Sequence, residues 1–147
     1  MSTETAAGIV LILVPVWFNV WFFALARRFE YPDILRRPTA EILERFRSGG
    51  PSLILVWWAF MLSGLAFVLA STLLGLVLEP DAPTLSVLAI VTGALAGLVQ
   101  VLGLLRWVYL VPPLARLHAD PDASDASREA ARVTFAAFHH YLSLIHI

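Results

Sequence analysis

The sequence predicts an all-α integral membrane helical bundle, with three full transmembrane helices and the start of a fourth. Three observations predict it. Hydrophobic residues make up 59% of the 147-residue chain and charged residues only 14%, with a mean hydropathy of +0.80. Three apolar stretches each reach the roughly 20 residues that a helix needs to cross a hydrocarbon core. Glycine, proline and charged residues gather between those stretches, where turns need them.

The first span, residues 6–26, reads "AAGIVLILVPVWFNVWFFALA". It resembles a signal peptide only in its Ala24-Leu25-Ala26 end. The "MSTET" start carries no positive charge, so we read it as a retained span. Pro15 is expected to kink it and free a carbonyl near its middle. The loop 27–50 follows, and within it residues 39–48 read as a short amphipathic helix. Thr39 is its expected N-cap, Glu41 suits the first turn, and Ile42, Leu43 and Phe46 share one face. Glu41 and Arg45 have the spacing of a surface ion pair, and Gly49 can end the helix. Pro51 then opens the second span, residues 53–78. A tight turn at 79–83 leads to the third, residues 85–111, which Pro112-Pro113 closes. A polar turn with Ser124 as cap starts a last helix from about residue 124, leading into the incomplete fourth span. The whole chain reads as a single membrane domain.

Arginine counts set an expected orientation. The loop 27–50 holds Arg27, Arg28, Arg36, Arg37, Arg45 and Arg47, while the N-terminus and the 79–83 turn hold none. Arg116, Arg128 and Arg132 follow the third span. The N-terminus is therefore expected outside and the 27–50 loop in the cytoplasm, in a bacterial inner membrane. All ten basic residues are arginine, which suits a GC-rich bacterial genome.

"LARRFEYPD" at 25–33 and "LARLHADPD" at 114–122 share Leu, Ala, Arg, Pro and Asp at one offset, which also sets Phe46 over Phe135. The unit of span, LAR-x4-PD and amphipathic helix would then occur twice as a parallel repeat. A fourth span would begin near His140.

Polar residues inside the spans are functional candidates, because burying them unpaired in lipid is costly. Asn19 and Gln100 are expected to make interhelical hydrogen bonds. Arg106 is expected to snorkel in an aromatic belt with Trp107 and Tyr109; the sharper reading is a buried cation facing the bundle. Ala89, Gly93 and Gly97 form a small-residue stripe on the third span, and Ser71 and Gly75 form another on the second. Such seams pack helices closely and allow a homo-oligomer. Trp17, Trp21, Trp57, Trp58 and Trp107 are read as interface anchors and bundle fillers.

The net charge of −1 gives no reason to expect a nucleic-acid partner, and the lack of cysteine excludes disulfides and thiolate metal sites. No nucleotide loop, nucleophile elbow or zinc-protease motif occurs. No catalytic residue, metal site or cofactor is expected. The expected role is a non-enzymatic structural or interaction bundle, with the lipid bilayer as its partner. Two alternatives stand beside it. One is a transporter or channel subunit with Asn19, Gln100 and Arg106 lining a cavity. The other is a haem- or metal-binding redox protein using His139 or His140, although adjacent residues lie about 100° apart on a helix and cannot both face one ligand.

"FEYPDILRRPTAEILERFRSGGP" and "LGLLRWVYLVPPLAR…DP…REAA…F…FHHY" together resemble small, uncharacterised bacterial multi-pass membrane proteins, grouped as domains of unknown function and common in actinobacteria-like genomes. The resemblance covers the chain to about Tyr141. It implies a bundle of four or more spans, and it carries no reaction and no catalytic residue. Members tend to continue after the tyrosine with a glycine-rich stretch containing Gly-Glu-His, and this sequence does not. "LSLIHI", residues 142–147, is also what CTGTCTCTTATACACATC, a transposase end used in sequencing libraries, encodes in frame. We therefore expect a truncated reading frame ending in adapter-derived residues.

Overall fold

A computed structural model describes residues 1–142. All regular structure among the described residues is helical, with no strand. In chain order they form α1 (Thr3–Phe29), a 3-10 turn (Asp33–Arg36), α2 (Thr39–Leu78), α3 (Pro83–Leu105), a π-helical turn (Arg106–Leu110), α4 (Val111–Ala119) and α5 (Asp125–Leu142). Residues 142–147, which the sequence reading assigns to an adapter, lie outside the described residues but for the backbone of Leu142. So does all but the start of a fourth span.

Three helical stretches, Thr3–Phe29, Thr39–Leu78 and Pro83–Ala119, are long and apolar enough to cross a membrane. The rest of the chain buries only 6% of the most apolar window in the first and 11% in the third, against 44% in the second. Ile12, Leu13, Phe23, Leu95 and Val99 are all exposed. A continuous apolar surface of this kind is not tolerated in water, and lipid is the solvent that fits it. The protein is an all-α membrane protein.

The described residues divide into two compact units. The first comprises Met1–Phe22 and Ala59–Leu102. Its centre is the close approach of α2 and α3. A Cβ on Gly97 would lie 2.5 Å from the Gly64 carbonyl oxygen, and one on Gly93 would overlap the Ser71 side chain. A Cβ on Gly75 would likewise run into Ile90. Gly75, Gly93 and Gly97 therefore each face a close neighbour within the chain. The upper part of α1 joins this unit through Trp17, whose Nε1–H donates to the Ala59 carbonyl at 2.9 Å, and through Phe18 against Phe60.

The second unit comprises Phe23–Trp58 and the chain from Gly103 onward. The last turn of α1 carries Arg27 and Arg28, which suit the negative end of a helix. Glu30 then takes a positive φ of 56°, a strained conformation for a residue with a Cβ. Its carboxylate holds Arg37 at 2.5 Å and Arg45 at 2.8 Å, tying the turn to the following helix. Arg37 also pairs with Glu41. The expected Glu41–Arg45 pair is thus replaced, because Glu30 comes within reach of Arg45. The first helical bonds of α2 run to the Pro38 carbonyl, one residue before the Thr39 expected as cap. Ile42, Leu43 and Phe46 are almost completely buried, so the amphipathic face points inward. At Gly50 the backbone breaks from helical geometry, with φ 58° and ψ −161°, and Pro51 opens the rest of α2. Glycine accepts that positive φ and proline needs no amide partner there. At the far end Ser124 caps α5, its Oγ accepting the Ser127 N–H at 3.2 Å.

Candidate functional site

The polar and aromatic residues of the second unit converge on the π-helical turn. Pro112 and Pro113 lack the N–H groups that would bond the carbonyls of Val108 and Tyr109, and their rings crowd those carbonyls. The helix widens by one residue instead, and the Val111 N–H donates to the Arg106 carbonyl. π turns of this sort gather at functional positions. This one turns Arg106, Trp107 and Val108 into the interior.

Trp107 is the hub. It stacks on Trp57 with ring centres 4.6 Å apart and planes within 6°. Phe29 meets both tryptophans edge-on, at 5.4 and 5.8 Å. Phe46 lies 6.0 Å from Trp107 and Phe135 lies 5.9 Å from it. The two phenylalanines that the repeat aligns therefore sit on one ring. Tyr31 meets Trp57 at 5.4 Å. Edge-on and offset pairs of this kind add about 0.5–1.5 kcal/mol each beyond area burial.

Arg106 is 9% exposed, so it faces the bundle, and the snorkelling arrangement does not occur. Its Nη1 shares a long bond, 3.3 Å to each, between the carbonyls of Phe138 and His139 in the last turns of α5. Its guanidinium carbon lies 5.4 Å from the Trp107 ring centre. His139 is buried, stacks on Phe135, and places Nε2 3.1 Å from the Leu35 carbonyl. A carbonyl can only accept, so Nε2 carries the proton and donates it. The ring thereby ties α5 to the 3-10 turn.

The structure brings Arg106 and His139 together and leaves the other candidates elsewhere. His140 is exposed. Asn19 is exposed too, and its amide donates to the Pro15 carbonyl of its own helix at 2.8 Å, where an interhelical bond was expected. Gln100 does bond between helices, donating from Nε2 to Ser63 Oγ at 2.8 Å. Ser63 in turn donates to the Phe60 carbonyl. The sequence reading missed Ser63, Tyr31 and Leu35. A lone serine in an apolar run was the available signal for the first, whereas a backbone carbonyl such as that of Leu35 leaves no mark in a sequence.

His139→Ala should lower stability by about 1–2 kcal/mol, as for a lost buried hydrogen bond, whereas His139→Gln keeps a donor near Nε2 and should lose less than half of that. Thermal melting in detergent, followed by the fluorescence of Trp57 and Trp107, reads both. Burial raises the Tyr31 phenol above the ordinary 10.0, and the Arg106 cation pulls the other way. The fold favours the neutral phenol, so its contribution is complete below the unfolded pKa and is lost as pH rises through the folded one. Melting temperature should fall as pH rises above about 10, and Tyr31→Phe should flatten that fall.

One family model matches the chain, described as Domain of unknown function (DUF4386), and it matches residues 6–147. No curated protein and no solved structure matches it. The chain belongs to the DUF4386 family.

Proposed function

We propose that this DUF4386 membrane protein is a structural or interaction bundle without an enzymatic activity of its own. The observation that carries the reading is the use of Arg106. The most deeply buried charged side chain among the described residues is given to two carbonyls of α5 and the face of Trp107. It acts as a latch that holds α5 and the 3-10 turn to a membrane helix as one platform. Gln100 is likewise given to Ser63, and Asn19 to its own backbone. We further propose a bacterial inner membrane, with the N-terminus outside and the 27–50 loop in the cytoplasm. The arginine distribution supports this orientation.

The transporter reading asks Asn19, Gln100 and Arg106 to line a passage, and their separate partners speak against it. The redox reading would have to use the Nδ1 of His139, because Nε2 donates to the Leu35 carbonyl. Reconstitution into liposomes loaded with potassium, sodium or a pH-sensitive dye separates the readings. The bundle reading expects no flux above empty liposomes and a lowered melting temperature for Arg106→Gln. A flux that Arg106→Gln abolishes at unchanged melting temperature would overturn it.

A further inference from the structure

We propose that the second unit carries a binding site for one anionic phospholipid headgroup, beside the Gly50–Pro51 break. A cleft of about 240 Å³ opens there. Phe46, Ile54, Pro112 and Ala115 form an apolar floor, and Arg47 and Arg116 line it with charge. Both arginines are exposed, so their guanidinium groups reach the surrounding medium. Arg116 is tethered through Nε to the Pro112 carbonyl at 3.3 Å, and Arg47 to Glu44 at 2.6 Å.

Two features select the occupant. The first is charge. Two planar guanidinium groups over an apolar floor suit a phosphodiester whose acyl chains continue along hydrocarbon. The second is depth. Trp58 and Tyr109 meet edge-on at 5.6 Å, and Tyr109 is exposed. Such aromatic residues sit at the headgroup level of a bilayer. Trp58 is one turn beyond Ile54 along α2, Tyr109 lies one turn before Pro112, and Arg116 reaches back to the Pro112 carbonyl, so the cleft lies within about one helical turn of that pair, at the level of the lipid phosphates. Glu44 is the acid that competes for Arg47.

Native mass spectrometry of the intact chain in detergent tests this, with phosphatidylglycerol and phosphatidylcholine of matched acyl chains as probes. One phosphatidylglycerol should be retained about tenfold more tightly than phosphatidylcholine, the margin that hydrogen bonds to charged groups supply. Arg47→Gln with Arg116→Gln should erase that preference. Ala115→Leu should weaken retention by filling the floor, and Glu44→Gln should strengthen it. The last two variants keep the test valid if the double arginine variant does not fold. Equal retention of the two lipids would overturn the proposal. So would an equal loss in Arg27→Gln with Arg28→Gln, which would make the attraction a diffuse one. Displacement of the lipid by inorganic phosphate alone would assign the cleft to free phosphate instead.

Discussion

Gly97→Ala is expected to destabilise the protein by about 2 kcal/mol, a large effect for one methyl group, because overpacking a close helix contact forces the backbones apart. The new Cβ would sit 2.5 Å from the Gly64 carbonyl oxygen. That atom belongs to a backbone and cannot step aside by changing rotamer. Trimming the other neighbour with Val68→Ala is therefore expected to rescue little. Gly93→Ala makes the informative contrast. Its new Cβ would overlap the Cβ and Oγ of Ser71. Those are the atoms that Ser71→Gly removes, so the double variant should recover most of the loss. Unfolding of the four proteins in detergent gives the coupling energy directly. Additive losses in the Gly93–Ser71 pair, or a Gly97→Ala variant as stable as the parent, would contradict the packing described for α2 and α3.

The second large effect is expected at Arg106. Arg106→Leu removes the shared donor from the carbonyls of Phe138 and His139 and the cation over Trp107. The loss should be about 2–3 kcal/mol, as for hydrogen bonds made by a charged group. Arg106→Lys keeps the charge but not the planar fork, and should fall between the two. The effect should stay in the second unit. The Gly64–Gly97 approach belongs to the first and should not respond.

The class of fold was legible because bilayer thickness translates directly into run length, and nothing else requires three such runs. Small-residue stripes were legible as close contacts, since only Gly, Ala and Ser let helix backbones approach. Which helix fills a stripe was not legible: Gly93 meets Ser71 of its own chain, and sequence spacing alone fits a second copy equally well. Trp57 and Trp58 show the same limit. They are adjacent, yet the first is fully buried and the second only partly so. For Arg106 the sequence left snorkelling and a buried cation both open; the residue opens a π turn whose cause lies downstream, in Pro112-Pro113. Asn19 was misjudged because a helix offers an amide its own backbone carbonyls, which compete with any neighbouring helix.

The buried charge of the second unit holds α5, and through His139 the 3-10 turn, in place. Hydrogen exchange of the parent and Arg106→Gln in detergent, read peptide by peptide, tests it most directly. Faster exchange is expected over α5 and residues 33–36 in the variant, with residues 64–97 unchanged. Unchanged exchange over α5 together with the turn would contradict it.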